Sequence, residues 1–314
     1  MEKMLKPNQK IKFPKIEVEV MKTIKWAGFS VVYEGISREG RKVALKVEMA
    51  QEDERKAGLS REIEVYRKIG KHPSFVELID FENFDGTKIA VFEYIESPTL
   101  DLVIREEGNF DWFRESRITK DLINTSIRLR KKGIYNRDIK GGNIFLADGE
   151  RVKAFDFGIA RFSNEAQKIG KNVFASLDTA APERIFHDVF DEERSEIYSI
   201  ASVALAMHVG NAVWRIPKED PNTTIERKRV QAIQIPDNVP QELAQLYLRA
   251  TRFDPKERPA TFEELFYEIG KVEKKYGKEN EIVLDEATNT KVMIAALTAS
   301  AAGAGFIAYL LANQ

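Results

Sequence analysis

The chain has 314 residues, of which 43% are hydrophobic and 32% charged, so a largely disordered protein is excluded. Lysine and arginine number 49 against 50 acidic residues, a balance that gives no global attraction for nucleic acid. The absence of cysteine excludes disulfides, zinc–thiolate sites and a cysteine nucleophile, and it fits a reducing cytosol. Residues 1–15 lack the apolar core of an export signal.

The first hundred residues predict a small, strand-rich unit. Residues 1–15 are basic, and we expect them to be poorly ordered. Hydrophobic alternation and turn residues predict strands, which cover 16–24, 30–36, 42–49 and 89–95. Between the last two strands, apolar residues at helical spacing predict a helix over 52–69.

The chain becomes predominantly helical beyond about residue 96. The longest predicted helices cover 111–132 and 194–209. Residues 274–291 are polar with few large apolar side chains, and they predict a linker. This change of character divides the chain into a strand-rich part and a larger helical part.

Residues 292–312 form a run of 21 residues without a charge. As a helix the run would be ~31 Å long, close to the thickness of a bilayer's hydrocarbon core. It has no polar stripe of helical period, so a transmembrane helix is favoured over the alternative, a buried alanine-rich packing helix. Small residues recur at Ala295, Ala299 and Gly303, which is weak support for a homodimer.

Two loops carry the side chains best suited to phosphate chemistry. NRDIKGGN contains Asp138, Lys140 and Asn143: a proton acceptor, a cation for a phosphoryl group and an amide oxygen for Mg²⁺. Asp156 follows in FDFG and adds a second group suited to Mg²⁺. Lys46 lies in the apolar strand VALK, where its ammonium could bind phosphate. Taken singly, each of these is more often a solvated surface or loop residue.

In this order, the fragments resemble the eukaryotic-type (Hanks-type) protein kinase family. The resemblance runs from about residue 20 to 273. SREIEVYRKIGKHPSFVELID is similar to the regulatory helix, VFEYIE to the hinge with Phe92 as gatekeeper, and APE with DPKERP to two later motifs. The resemblance implies an α+β, two-lobe kinase fold. The strand-rich lobe would cover residues 16 to about 96 and the helical lobe 97–273, with the transmembrane helix in addition.

The resemblance also implies a role for each matched residue. Asp138 would be the catalytic base, Lys140 would contact the γ-phosphate, and Asn143 and Asp156 would hold Mg²⁺. The residues expected to bind ATP are Ile24, Lys25, Ala27, Gly28, Phe29, Ser30, Val32, Lys46, Glu62, Glu93 and Ile95. Within that set Glu62 is the ion-pair partner of Lys46, while Glu93 and Ile95 face adenine through their backbones. Outside the set, Arg258 should pair with Glu183.

The chain departs from the family pattern in three motifs. Lys25, Ala27 and Ser30 stand where three glycines are usual, and these replacements should loosen the phosphate cradle unless Lys25 compensates with its charge. Asn136 replaces a histidine whose ring packs under the DFG phenylalanine. Glu196 replaces the aspartate that holds the catalytic loop and is one methylene longer. None of these changes removes a proton acceptor, a metal ligand or the strand lysine.

The implied reaction transfers the γ-phosphoryl group of ATP, with Mg²⁺, to a protein serine or threonine, because DIKGGN resembles the Ser/Thr branch. Two alternatives remain. A membrane-tethered pseudokinase would act as a binding module, and the degenerate glycine loop is its main support. A small-molecule phosphotransferase would be expected to lack the APE and DPKERP segments that this chain has.

The sequence also predicts location and regulation. Because a kinase needs cytosolic ATP and lysines precede the apolar run, we expect a single-pass C-terminal anchor with a cytoplasmic kinase domain. Arg137, before the base, marks family members whose activation segment is ordered by a phosphorylated residue. Here residues 164–175 contain no Ser, Thr or Tyr, so we predict that activity does not depend on phosphorylation of this segment.

Overall fold

The computed structural model describes residues 4–27, 30–49, 57–147, 150–165, 176–186, 190–214, 220–230 and 232–277. In these ranges the N-terminal lobe is an antiparallel sheet of six strands with one helix against it. The strands are β1 (Lys10–Lys12), β2 (Glu17–Ala27), β3 (Ser30–Ser37), β4 (Lys42–Glu48), β5 (Leu78–Phe84) and β6 (Thr87–Glu93), and the helix is α1 (Ala57–Ile69). Their order across the sheet is β1-β2-β3-β4-β6-β5.

Alternation of side chains explains why one face of this sheet is buried. In β3, Val31 and Tyr33 are buried, while Val32 between them and Glu34 after them are partly exposed, as expected for a period of two. Val31 and Tyr33 pack with Val18 of β2 in the apolar core of the lobe. The other face therefore presents the intervening residues of β2, β3 and β4.

The expectation that residues 1–15 are poorly ordered is wrong where β1 forms. Ile11 pairs with Val18 at the edge of the sheet, and Ile11 and Phe13 are buried in the lobe's core. The lysines that make the segment basic flank Ile11 and stay exposed. The physical reason is that lysine and apolar residues alternate in KIKF, so one side of the strand is apolar. A prediction based on composition registers only the positive charge of the segment.

The C-terminal lobe is predominantly helical. Its helices are α2 (Leu100–Glu107), α3 (Trp112–Lys131), α4 (Glu183–Phe186), α5 (Glu192–Val209), α6 (Pro221–Val230), α7 (Gln241–Ala250) and α8 (262–277). α5 packs against both α3 and α7, and most of its residues are buried. The core of this lobe therefore surrounds α5.

Two predicted boundaries in the helical lobe, the start of one helix and the start of the linker, differ from the observed ones by two residues or more. α5 begins at Glu192 rather than residue 194, because Asp191 caps it by accepting a hydrogen bond from the Arg194 backbone N–H at 3.0 Å. α8 continues four residues into the predicted linker, where Tyr276 contacts Trp112 edge-to-face and donates a hydrogen bond to Glu242. These contacts favour helix where composition alone predicts a linker.

Short strand pairs position the two loops that carry the chemistry. The strands β7 (Ile134–Tyr135) and β8 (Ile144–Ala147) flank the loop that contains Asp138. The strands β9 (Arg151–Ala154) and β10 (Arg161–Phe162) flank the turn that contains Asp156. Since β8 pairs with β9 and β10 pairs with β7, the two loops are brought side by side.

The predicted two-lobe fold, with a β-rich first lobe and a helical second lobe, is confirmed. None of the helices in the described ranges is long and apolar enough to cross a membrane. The predicted transmembrane run, 292–312, lies outside the described residues, as do the proposed dimer contacts within it.

Candidate active site

Lys46 lies between two carboxylates that come from different elements. Its Nζ donates to Glu62 Oε2 of α1 at 2.6 Å and to Asp156 Oδ1, before β10, at 2.9 Å. The Glu62 side chain is 3% exposed and that of Lys46 is 15% exposed. The cluster thus joins β4, α1 and the FDFG turn and holds the ammonium in one place.

The charges of this cluster follow from burial and from each other. Burial opposes the charged form of Lys46, but the two carboxylates outweigh it and raise its pKa above the ordinary value. Burial likewise opposes ionisation of Asp156, yet Lys46 keeps the pKa of Asp156 below its usual range. At Glu62 burial dominates and raises the pKa to about 7. Lys46 and Asp156 are therefore charged at neutral pH, and the Lys46–Glu62 pair weakens as the pH falls through about 7.

Asp138 accepts hydrogen bonds from three side chains. Its Oδ2 accepts from Lys140 Nζ at 2.7 Å and from Asn143 Nδ2 at 2.8 Å, and its Oδ1 accepts from Ser176 Oγ at 2.9 Å. Lys140 Nζ also contacts Ser176 Oγ at 2.9 Å. These three donors hold the carboxylate in a fixed orientation.

Ser176 was not among the predicted site residues. Its hydroxyl lies between Asp138 and Lys140. Its position seven residues before Glu183 is the signal that could have found it.

The two departures from the family pattern in and beneath the catalytic loop are both accommodated. Glu196 Oε1 accepts a hydrogen bond from the Arg137 backbone N–H at 3.0 Å, so the longer side chain still holds the loop. Arg137 has a φ of 67°, a left-handed conformation that needs such support. Asn136 Oδ1 accepts from the Asp138 backbone N–H at 3.3 Å, so the amide that replaces a ring stabilises the turn itself.

A glycine allows α2 to approach the catalytic loop. A Cβ on Gly141 would lie 2.1 Å from Asp101 Oδ1 and 3.0 Å from the Asp101 backbone nitrogen. A side chain at position 141 would therefore require Asp101 to move. The close approach fixes the loop immediately before Asn143.

The FDFG turn is held by aromatic packing. Phe157 is fully buried, with its ring centroid 5.2 Å from that of Tyr66 in α1 and 5.9 Å from that of Phe75. Asp156 itself has a φ of 65°. The packing of Phe157 and the ion pair with Lys46 therefore maintain an unfavourable backbone conformation at Asp156, the residue expected to hold Mg²⁺.

Strand register places three of the predicted nucleotide-binding residues in one row. Lys25 lies opposite Val32, and Val32 lies opposite Lys46, so all three side chains share the face turned away from the lobe's core. Ile24 is at the irregularity beside this row and is 45% exposed. Whether Lys25 compensates with its charge for the missing glycines stays a prediction.

The other residues of the predicted phosphate loop are only partly described. Ser30 is buried and begins β3, opposite Ala27. Gly28 and Phe29 lie outside the described residues. The predicted contribution of these four residues to ATP binding stays a prediction.

Glu93 and Ile95 lie where β6 ends and the chain passes between the lobes. The Glu93 backbone N–H donates to the Glu77 carbonyl at 3.0 Å, and the Glu93 carboxylate pairs with Lys153 at 2.7 Å. Ile95 packs against the apolar cluster between the lobes, as do Ala44 and Phe145. Their position permits the predicted contact with adenine.

An apolar surface below Glu93 and Ile95, formed by Phe145 and Phe155, is not among the predicted features. Phe145 of β8 and Phe155 stack with ring centroids 4.5 Å apart and planes 21° apart. Both pack, together with Ala44, against the cluster that joins the lobes. The flat face of a purine suits such a surface. The signal was available, since Phe145 follows Asn143 by two residues and Phe155 precedes Asp156.

The donor set at the mouth of the cleft fits Mg²⁺. Asn143 uses its amide nitrogen to bind Asp138, which leaves the amide oxygen as its metal-binding atom, and Asp156 supplies an ionised carboxylate. One carboxylate with an amide oxygen, completed by phosphate and water, is typical of Mg²⁺ sites. No group of three or more His, Asp or Glu side chains suited to a metal occurs among the described residues, so phosphate oxygens would have to complete the coordination.

The predicted pairing of Arg258 with Glu183 is confirmed. Two parallel hydrogen bonds of 2.6 and 2.8 Å join them, and the two side chains are 0% and 5% exposed. Arg258 also donates to backbone carbonyls, including that of Arg194 at the start of α5. The pair fastens the APE segment to the core of the C-terminal lobe.

Restoring glycine in the phosphate loop should strengthen ATP binding. In the double variant Ala27→Gly/Ser30→Gly we expect a lower KM for ATP, because backbone amides could approach the phosphates more closely. Steady-state kinetics at varied ATP would measure it, with Ser37→Gly at the far end of β3 as the matched control. An unchanged or higher KM would mean that the loop is already adapted, with Lys25 as the compensating charge.

The comparisons with known proteins agree with this geometry. The protein kinase domain profile matches residues 19–268. The chain belongs to the protein kinase family. A Clostridium perfringens protein named "Probable serine/threonine-protein kinase" is 27% identical over 266 residues, which are 82% of this chain and 38% of that protein. A Clostridium acetobutylicum protein with the same description is 28% identical over 265 residues, covering 81% of this chain and 39% of the relative.

Serine/threonine-protein kinase PknK of Mycobacterium bovis is 27% identical over 259 residues, covering 80% of this chain and 23% of PknK. The matched region thus spans about two fifths or less of the length of these relatives. The similarity is one of kinase domains.

Proposed function

We propose that this kinase transfers the γ-phosphoryl group of ATP to serine or threonine hydroxyls of proteins. The observation that carries the proposal is the arrangement around Asp138, whose Oδ1 already accepts a hydrogen bond from a serine hydroxyl while Lys140 binds Oδ2. A substrate hydroxyl could be oriented by the same carboxylate. Relatives named as serine/threonine-protein kinases support the choice of acceptor.

Each charged residue then has a distinct task. Asp138 accepts the proton of the attacking hydroxyl, and Lys140, 2.7 Å from it, neutralises charge on the phosphoryl group in transit. Lys46 positions the non-transferred phosphates, held in place by Glu62. Asn143 and Asp156 would hold Mg²⁺, which offsets negative charge on the phosphates when bound.

A transfer assay tests the proposal directly. The purified full-length chain is incubated with γ-labelled ATP, Mg²⁺ and either a generic basic protein or a panel of small alcohols. Label on serine and threonine of the protein supports the proposal, and acid hydrolysis identifies the labelled residue. Label only on alcohols would favour a small-molecule phosphotransferase, and no transfer despite ATP binding would favour a pseudokinase.

We also propose that residues 292–312 anchor the kinase in a membrane with the catalytic domain in the cytoplasm. The support is the uncharged run of 21 residues, preceded by Lys271, Lys274, Lys275, Lys278 and Lys291, since lysine favours the cytoplasmic side. Pairing of such helices through Ala295, Ala299 and Gly303 stays a prediction.

Fractionation of cells tests the anchor. The full chain should sediment with membranes and resist a high-salt wash, while a chain ending at Thr290 should be released. Full-length Ala302→Arg provides the matched control, because one arginine at the centre of a spanning helix costs about 2.5–3.5 kcal/mol of insertion free energy. Equal solubility of the full chain and the shortened chain would disprove the anchor.

A further inference from the structure

Glu192 joins two arginines that belong to different functional segments. Arg137 Nε contacts both carboxylate oxygens of Glu192 at 3.1 Å, and Arg161 Nε contacts Oε1 at 2.6 Å. The Glu192 side chain is only 4% exposed. The ring of Phe190 covers Arg137, with its centroid 5.5 Å from the guanidinium carbon. The carboxylate is therefore a buried link between the catalytic loop and the activation segment.

The surroundings of Glu192 concentrate positive charge. Arg184, next to Glu183 of APE, donates a hydrogen bond to the Arg137 carbonyl and so brings a third guanidinium to the cluster. Burial and then the neighbouring Arg137 lower the pKa of Arg184 to about 10, opposed by Glu192 and Glu196. Without Glu192, Arg137 and Arg161 would lose the carboxylate that they share, in a partly buried site next to the catalytic base.

A second carboxylate extends the link to α1. Glu165 accepts from Arg61 at 2.7 Å, and its carbonyl accepts from Arg161. Arg61 is adjacent in sequence to Glu62, the partner of Lys46. Glu192 and Glu165 together carry a charge of −2, similar to that of one phosphate group at neutral pH.

We propose that Glu192 is a positioning residue that does for this kinase what a phosphorylated activation-segment residue does when it binds an arginine cluster. Resting on the proposed function, the inference explains how the catalytic loop is ordered although residues 164–175 offer no hydroxyl to phosphorylate. A favourable interaction with the N-terminus of α5 is insufficient as an explanation, because such an acidic residue needs no burial and no arginines from two other segments. The carboxylate fixes Arg137, and Arg137 fixes the backbone that presents Asp138.

The first measurement is activity without phosphate. The purified full-length chain is treated with a broad-specificity phosphatase, the phosphatase is removed, and phosphosites are mapped by mass spectrometry. We expect dephosphorylated enzyme to keep its initial rate to within about twofold when assayed at once, since the ordering charge is built into the chain.

The second measurement compares neutral variants of adjacent glutamates. Glu192→Gln should lower kcat about 10- to 100-fold through misplacement of the loop, with little change in the KM for ATP because the Lys46 cluster is untouched. Glu192→Asp should recover most of the loss, as it restores the charge. Glu193→Gln is the matched control, because Glu193 lies beside Glu192 but binds Arg130 and the Phe262 backbone N–H. Thermal unfolding of each variant separates lost activity from lost folding.

The outcomes separate this inference from the proposed function. A folded wild-type enzyme without protein phosphotransfer would overturn both. An active wild type would overturn only the inference if phosphatase abolished its activity, if Glu192→Gln stayed within twofold of wild type, or if Glu192→Asp gave no recovery. If Glu192→Gln fails to fold, Arg161→Gln takes its place, and an unchanged kcat in that variant would likewise overturn the inference.

Discussion

Replacement of Asp138 by asparagine should lower kcat by a factor of at least about 100, because the amide nitrogen cannot accept the proton of the attacking hydroxyl. The same change leaves one oxygen acceptor where Lys140 and Ser176 now bind one carboxylate oxygen each. ATP binding should be nearly unchanged, because none of these hydrogen bonds of Asp138 involves the Lys46 cluster. Steady-state kinetics and nucleotide-induced thermal stabilisation measure the two effects separately.

Two further variants make this result specific. Asp111→Asn, which changes the cap of α3 in the same isosteric way, should leave kcat close to wild type, since asparagine caps helices as well as aspartate. Lys46→Ala should instead weaken both nucleotide binding and rate. If Asp138→Asn and Lys46→Ala both transferred phosphate at the wild-type rate, the catalytic site would have to lie elsewhere.

Replacement of Arg258 by methionine should reduce the free energy of unfolding by about 3–5 kcal/mol, because it leaves Glu183 buried without its partner. Arg258 also donates to the carbonyls of Arg252 and Phe253, at 2.7 and 3.0 Å, so several acceptors lose a donor at once. Urea unfolding followed by circular dichroism would measure the loss as a lower midpoint.

An exposed ion pair provides the control for this prediction. Arg249 and Glu264 are 3.0 Å apart with side chains 45% and 36% exposed, so Arg249→Met should cost at most about 1 kcal/mol. The double variant Glu183→Gln/Arg258→Met should recover part of the loss, because the uncompensated charge is removed. Similar midpoints for Arg258→Met and Arg249→Met would show that burial does not determine the strength of the pair.

The sequence predicts the active site better than it predicts the elements around it. Lys46, Asp138 and Asp156 lie in short motifs that occur in the order typical of protein kinases. Because all three motifs serve one reaction, these residues could be expected to belong to one site. Glu192 is different, because its link to Arg137 spans 55 positions and depends on how α5 docks under the catalytic loop. The role of a glutamate in the first turn of a helix depends on tertiary packing, which the local sequence does not predict.

Local chemistry also misleads where charge and hydrophobic pattern conflict. The lysines of KIKF outweigh Ile11 and Phe13 in any average over the segment, although the two apolar residues decide its structure. At Asn136 the sequence predicts the loss of a ring but not the hydrogen bond that replaces it. Both differences arise because the contribution of a side chain to local structure depends on the groups that it contacts as well as on its type.

The strand β1 has a practical consequence for anyone who expresses this domain. The family match begins at residue 19, so a gene trimmed to it would delete β1 and also Val18. The hydrogen bonds between Val20 and the backbone of Asn8 and Gln9 would be lost, and β2 would become an open sheet edge. Such edges recruit strands from other molecules, and lysine-flanked short strands are among the means by which proteins prevent it. The first residues of the chain thus protect the lobe from aggregation, and a soluble preparation should retain them.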